Sequence, residues 1–386
     1  MNDIFFDNCV TRAMEPSVLS HFLKLHGIFA YRNPLYSGAS GDLTRKLLED
    51  ARKNIASLIN ADPSEIFFTS SGTEANNLAV KGIMAAVSAR SKGGSHRIVT
   101  TPFEHPSVAF PVKTLAAAGH GAVRLRADGE GSVSVSDASE ILNGARLLAV
   151  IHTSPENGRA MPVHELALKA RDAGAAVHSD ACFAAGRVKI DVSELMVDTL
   201  SISGHKLCGP PGSGALYIRR GTRVMPQIEG GPEENGLRCG FYNIPAISAM
   251  GMAAKDALEN MDARNEKTRR LKNVLCEKLN SAIKNIKWVA GASDPLPFYV
   301  SFCLPGVNSE ELVSALEAGN IILSSASWCV SSANKVPEAL SALGLDIEDA
   351  AGYLRICIGH NNDESDITVF MEKLIGFYSD KDLRRN

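Results

Sequence analysis

Charge of one sign, long apolar runs and paired cysteines are all scarce in these 386 residues, and each shortage excludes a class of protein. Forty Lys and Arg against 43 Asp and Glu leave a net charge of -3, so there is no basic footprint for nucleic acid or an anionic membrane. No stretch is apolar for the length of a membrane span, and the start Met1-Asn2-Asp3-Ile4-Phe5-Phe6-Asp7 lacks the basic n-region of a signal peptide. A cytoplasmic protein with neither nucleic acid nor membrane as partner is expected. The 8 cysteines form no CxxC pair and no cluster at zinc spacing, which points to reduced thiols and no metal. Internal repeats and low-complexity tracts are absent as well.

What is present is ordinary globular material, 45% hydrophobic and 22% charged, ample for one large domain and a smaller one. Between residues 60 and 220, short β-branched runs alternate with amphipathic stretches, the pattern of an α/β sheet that is mostly parallel. Strands are expected at Ile66–Ser71, Arg97–Thr101, Ala122–Arg126, Leu147–Thr153, Ala176–Asp180, Thr199–Ser203 and Gly214–Arg219, with helices at Thr73–Ala89, Pro106–Ala118 and Val163–Ala173. Pro245 opens a helical region from Ala246 to about Lys284, rich in Ala, Glu, Lys and Arg and expected to break near Met261-Asp262. Beyond it, strands at Tyr299–Leu304 and Tyr353–Ile358 and helices at Ser309–Ala318, Pro337–Leu343 and from Glu364 describe an α+β unit. The expected division is a large domain over 15–255 and a small one from 1–14 and 256–386.

Ligands of open α/β sheets sit at the carboxyl ends of strands, so the residues just after each strand carry the chemistry. Ser70-Ser71-Gly72-Thr73-Glu74 opens a helix, whose free N–H groups attract a phosphate. Asp180 ends an apolar strand, where a carboxylate needs a cationic partner. Lys206 follows another strand, ahead of the loop Gly209-Pro210-Pro211-Gly212-Ser213-Gly214. Taken singly these are a helix cap, a turn former and a solvated amine. Together they are the phosphate cradle, the pyridinium counter-charge and the Schiff-base amine that pyridoxal 5′-phosphate (PLP) requires.

The chain resembles the cysteine desulfurases of the class V aminotransferase group, which are fold-type I PLP-dependent enzymes. The likeness runs from Asp7 through Asn33-Pro34, Phe68-Thr69-Ser70-Ser71-Gly72-Thr73-Glu74, Glu104-His105, Ser203-Gly204-His205-Lys206 and Arg238-Cys239-Gly240 to Ser327-Trp328-Cys329 and Arg355. It implies a large domain with a mixed, mostly parallel sheet flanked by helices, and a smaller C-terminal domain. It also implies Lys206 as the Schiff-base lysine, Asp180 on the ring nitrogen and His105 against the ring. Gly72, Thr73, Ser203 and His205 would hold the phosphate, while Arg355 and Asn33 would bind the substrate carboxylate. Cys329, in a Ser- and Ala-rich loop, would take sulfur or selenium from cysteine or a related amino acid as a persulfide, releasing alanine. A homodimer and a sulfur-acceptor protein are further implications.

The likeness has gaps near the cofactor. Pro155 stands where the family usually carries an Asn and Phe183 where it carries a Gln, so two hydrogen-bond donors are missing. Phe241 replaces a Thr that reaches the neighbouring subunit's phosphate, and Ala326 and Trp328 replace a glycine and a small residue beside Cys329. Two alternatives stay open on these grounds: a PLP-dependent lyase or aminotransferase for a different, modified amino acid, and a non-catalytic scaffold or sulfur-transfer partner.

Overall fold

A computed structural model of the chain describes residues 3–29, 32–91, 94–290, 296–325 and 336–385. The chain begins with β1 (Ile4–Phe5), α1 (Pro16–Phe29) and α2 (Ala39–Leu58). It then alternates through β2 (Ile66–Thr69), α3 (Gly72–Arg90), β3 (Arg97–Thr100), α4 (Pro106–Ala117), β4 (Gly121–Arg124), α5 (Ala138–Leu142), β5 (Ala145–Ile151), α6 (Val163–Asp172) and β6 (Ala176–Asp180). Next come α7 (Val192–Leu195), β7 (Thr199–Ser203), β8 (Gly214–Ile218) and α8 (Ile244–Ala282). The last part holds β9 (Lys287–Ala290), β10 (Tyr299–Cys303), α9 (Ser309–Ala318), β11 (Ile321–Ile322) and β12 (Ser324–Ser325). It ends with α10 (Glu338–Ala342), α11 (Ile347–Ala351), β13 (Tyr353–Cys357) and α12 (Glu364–Arg385).

Seven strands form the central sheet in the order β2-β8-β7-β6-β5-β3-β4, parallel from β7 to β4, with β8 antiparallel to both its neighbours. Successive side chains of a strand point to opposite faces, and β5 shows the result. Leu147 and Ala149 meet Ile83 and Met84 of α3 and Val108 and Val112 of α4, whereas Leu148 and Val150 join the core beneath α6 and α8. Burial on both faces explains the near-continuous apolar run of β5. Every strand expected between residues 60 and 220 is present, with ends moved by at most two residues.

The second sheet, β12-β13-β10-β9, is antiparallel. Val300, Phe302, Leu354 and Ile356 of β10 and β13 pack with Leu275 and Leu279 of α8, Leu312 of α9 and Phe370 of α12. The same two-residue period turns Tyr299, Tyr353, Arg355 and Cys357 to the opposite face, toward the carboxyl ends of β5 and β6. Helix α8 serves both cores, contributing Ile247, Met250 and Ala253 to one and Leu271, Leu275 and Leu279 to the other. It runs unbroken through Met261-Asp262, contrary to the sequence expectation. No Gly or Pro interrupts residues 257–268, and those residues are what a sharp kink ordinarily needs.

Helices α1 and α2 were not anticipated by the sequence pattern. The buried stripe of α2 includes Gly41, Thr44 and Ala51, small residues that give little apolar periodicity. Ala51 meets α8 so closely that a Cβ at Gly251 would collide with it, and Gly41 is required by the Tyr36 carbonyl. No helix among the described residues is long and apolar enough to cross a membrane.

A buried ion pair ties α2 to the edge of the central sheet. Arg52 donates in a fork to Glu234, Nη2 to Oε1 at 2.7 Å and Nη1 to Oε2 at 2.9 Å, and the Phe68 N–H of β2 also donates to Oε2 at 2.7 Å. Removing a buried partner strands the other charge and the N–H together. Glu234→Ala is expected to cost about 3 kcal/mol, read from the urea unfolding midpoint, and an unchanged midpoint would contradict this account of the strand edge.

Candidate active site

The carboxyl ends of β2, β5, β6 and β7 and the second-sheet residue Arg355 surround one cavity of about 400 Å³, within the range of small-molecule sites. Gly72, Thr73, His105, Asp180, Ser203, His205, Lys206 and Arg355 all line it, as do Pro155 and Phe183. Asn33 does not: its Oδ1 accepts the Leu35 N–H at 2.8 Å in a turn ahead of α2. Phe241 is 52% exposed and also lies off the cavity. Cys329, with Ala326 and Trp328, lies outside the described residues.

The phosphate cradle anticipated at the start of α3 is a capped helix end. Ser71 Oγ accepts the Glu74 N–H at 3.1 Å, and Glu74 in turn accepts from the Ser70 N–H at 2.9 Å and from Arg238 Nε at 2.8 Å. Burial works against ionisation of Glu74, but the bonds from Arg238 and Ser70 prevail and lower its pKa. Gly72 is required by space: a Cβ there would collide with Cys182 Sγ and stand 3.2 Å from Ser203 Cβ. The cradle therefore exists only because the turn after β2 is brought against the ends of the neighbouring strands β6 and β7.

Asp180 is the best-supported side chain of the site. Its Oδ2 accepts from Asn76 Nδ2 at 2.7 Å, and its Oδ1 accepts from the Cys182 N–H at 2.9 Å and from Ser201 Oγ at 3.3 Å. Burial pushes its pKa up, yet His105, the Cys182 N–H and the positive charge of Lys206 outweigh burial and hold it below the ordinary value. Asn76 joins this carboxylate to two other groups. Its Oδ1 accepts from His178 Nε2 at 2.9 Å and its Nδ2 also reaches Ser107 Oγ at 2.8 Å. Burial lowers His178 to about 4, so it is neutral and donates to Asn76 while its Nδ1 receives the Thr199 hydroxyl at 3.0 Å.

His105 caps α4, with Nδ1 accepting the Ser107 N–H at 3.1 Å and the Ser107 hydroxyl at 2.6 Å. A nitrogen that receives two donors carries no proton, so the neutral ring holds its proton on Nε2. Burial lowers the His105 pKa and Lys206 adds to this, against the pull of Asp180. Lys206 lies in the 3-10 turn Gly204–Leu207 after β7, while the N-terminal segment covers the turn, Arg12 N–H donating to the His205 carbonyl at 3.1 Å. Arg355 Nη1 donates to the Pro155 carbonyl at 3.1 Å and Nη2 to Ser324 Oγ at 2.9 Å, with Glu156 Oε1 at 3.5 Å and Asp7 Oδ1 at 3.7 Å. Its Nε is buried without a partner among the described residues. Pro155, which has no donor to give, contributes its carbonyl to Arg355 and to the Tyr299 hydroxyl at 3.0 Å.

Asn76, Ser107 and His178 were missed as site residues by sequence reasoning. A signal existed for Asn76, one helical turn beyond Gly72 and so on the same face of α3. None existed for His178, whose role depends on Asn76 crossing from another element.

A sequence profile for the family described as Aminotransferase class-V matches residues 4–370. The chain belongs to that family. Among class-V aminotransferase relatives, the chain is similar to Cysteine desulfurase IscS of Clostridium botulinum, 34% identical over 375 residues, covering 96% of this chain and 93% of the relative. Of solved structures, a NifS-like protein superposes with TM-score 0.89 at 27% identity, covering 98% of this chain and 99% of the other. Another, SspA in complex with cysteine, has TM-score 0.79 at 26% identity, covering 93% of this chain and all (100%) of the other.

Next to the histidine, Glu104 is partly buried, with Oε2 of its carboxyl closed off from solvent. Its Oε1 accepts from Thr101 Oγ1 at 2.7 Å and from the Ile151 N–H at 2.8 Å, while Oε2 has no partner among the described residues. Burial first, and then the negative charge of Asp180, raise its pKa to about 8, so the folded protein holds this carboxyl protonated at neutral pH. An acid whose folded pKa lies above its unfolded value stabilises most below the unfolded value and loses that contribution as pH rises through the folded one. Glu104→Gln, which mimics the protonated form, is expected to remove a decline in unfolding free energy between about pH 5 and about pH 9. Identical slopes in variant and parent would show that Glu104 is ionised throughout.

Proposed function

We propose that this chain is a PLP-dependent cysteine desulfurase, taking sulfur from cysteine or a close analogue and releasing alanine. The observation that carries the proposal is the convergence of Gly72, Asp180, Lys206 and Arg355 on one cavity. The fit to PLP rests on that donor set: a cradle that a Cβ at Gly72 would fill, a buried carboxylate kept ionised and an amine two residues beyond the Gly204 N-end of its turn. Relatives named cysteine desulfurase support the choice of reaction.

PLP bound here would supply an electron sink for the carbanion formed at the substrate Cα. The protein's own part is to bind, orient and move protons. Gly72 and Thr73, at the positive end of α3, with Ser203 and His205 would hold the phosphate. Asp180, fixed by Asn76 and the Cys182 N–H, would keep the ring nitrogen protonated. Lys206 Nζ would anchor the cofactor carbonyl and then carry the Cα proton. His105, with its proton fixed on Nε2 by Ser107, is the second proton donor of the cavity. Arg355 would receive the substrate carboxylate on a guanidinium already oriented by Pro155 and Ser324. Cys329 would attack the substrate sulfur, forming a persulfide as the Cβ–S bond breaks. A homodimer, a sulfur-acceptor protein and a cytoplasmic location belong to the same proposal.

One observation favours a second substrate. Glu156 stands 3.5 Å from Arg355, and Pro155 and Phe183 make the adjacent wall apolar, so an amino acid with a bulkier side chain would compete with cysteine. The two are separated by the absorbance change of the holoenzyme with a panel of amino acids.

With cysteine and a thiol reductant, the holoenzyme is expected to release alanine and sulfide, and Cys329→Ala to keep the cofactor absorbance but lose turnover. Undiminished turnover in that variant would remove Cys329 from the mechanism. Gly72→Ala is expected to weaken PLP uptake at least about tenfold, some 1.4 kcal/mol, in an equilibrium titration of the apoprotein; equal affinity would mean the phosphate sits elsewhere.

A further inference from the structure

Seven cysteines among the described residues are buried and free, and two of them meet at the wall of the candidate active site. The backbone brings them together. Asp7 and Cys357 form a parallel bridge, Cys357 N–H donates to the Phe6 carbonyl at 2.7 Å, and Asn8 Nδ2 donates to the Cys357 carbonyl at 2.9 Å. Cys9 then turns back beside Cys357 in one cluster with Phe183, Phe298 and Tyr299, its thiol donating to Asp7 Oδ1 at 3.6 Å. Cys9 also lines the cavity that holds Lys206 and Arg355, whereas Cys357 lies behind it with no exposure.

Arg187 makes this pair unlike the other thiols. The guanidinium is buried between the rings of Phe183 and Phe298, with centroids at 5.1 and 5.0 Å, and no carboxylate among the described residues pairs with it. Its Nη1 instead points at Cys357 Sγ at 3.0 Å, while Nη2 donates to the Asn8 carbonyl. A buried cation needs an anion, and the thiolate of Cys357 is the group placed to supply it. Burial opposes that ionisation, but the adjacent Cys9 thiol, the bond from Arg187 and the charges of Arg187 and Arg355 prevail, bringing Cys357 down to about 6. Cys9, raised mainly by burial, stays a thiol.

We propose that Cys9 and Cys357 form an oxidation site for small hydroperoxides, in which Cys9 meets the oxidant from the cavity and Cys357 closes a disulfide. In the first step Cys9 passes its proton to Asp7, whose Oδ1 its thiol faces at 3.6 Å, and its sulfur attacks one peroxide oxygen. The O–O bond breaks, leaving a sulfenic acid on Cys9, and the departing oxygen takes the proton from Asp7. In the second step the Cys357 thiolate attacks the Cys9 sulfur, the S–O bond breaks, and hydroxide leaves as water with a proton from solvent. Two sulfurs are oxidised by one electron each, and the two peroxide oxygens are each reduced by one. A thiol reductant restores the pair.

The experiment treats the holoenzyme with hydrogen peroxide, alkylates the remaining thiols under denaturing conditions and maps the peptides by mass spectrometry. The expected product is a Cys9–Cys357 cross-linked peptide that disappears on reduction. Cys9→Ser abolishes it, and Cys357→Ser leaves a sulfenic acid on Cys9 that dimedone traps. Complete alkylation of both cysteines after peroxide treatment would overturn the proposal, as would the same yield of Cys357 disulfide in Cys9→Ser. Should Cys357→Ser not fold, the Cys9→Ser comparison decides alone.

Discussion

The ionised carboxylate of Asp180, deep in the protein, is the constraint around which the rest of the site is organised. An unaccompanied charge at that depth would take up a proton. Three donors prevent this, and each comes from a different element: Asn76 from α3, the Cys182 N–H from the turn after β6, and Ser201 from β7. The seven-stranded order makes the meeting possible, since β6 lies between β5 and β7. Once Asn76 is engaged, its remaining contacts settle the orientation of Ser107, and Ser107 settles the tautomer of His105. A single buried charge thus determines hydrogen-bond directions across most of the cavity wall.

Acid–base character around the cavity is divided by environment rather than by residue type. Asp180 is buried and Glu104 partly buried, yet one is held ionised and the other protonated. The difference lies in supply of donors. Asp180 receives bonds on both oxygens, whereas Glu104 receives two on one oxygen and none among the described residues on the other. The enclosed histidines follow the same logic, His152 and His178 both falling to about 4 because burial disfavours their charged form.

Much of this was legible in the sequence where local chemistry decides it. The inner strands of the central sheet were legible because burial on both faces leaves apolar runs, and the strand-end residues Gly72, Asp180 and Lys206 proved to line one cavity. Helix α2 escaped notice because its buried face mixes Leu48, Ile55 and Leu58 with Gly41, Thr44 and Ala51, which dilute the apolar signature of a helix. Asn76 and His178 escaped because their importance arises between elements far apart in the chain, 102 residues for their mutual bond. Pro155 was read as a loss of a donor; the fold uses its carbonyl as an acceptor for Arg355 and Tyr299, a role open to any residue and so invisible in residue type.

Helix α8, 39 residues long and spanning about 58 Å at the usual rise, bears on the mechanics of the site. It is anchored in the core of the seven-stranded sheet at one end and in that of the four-stranded sheet at the other. An unbroken helix built into both masses offers no interruption about which the two sheets could hinge. Arg355 and Lys206, on opposite sides of the cavity, thus belong to two masses that one continuous helix joins.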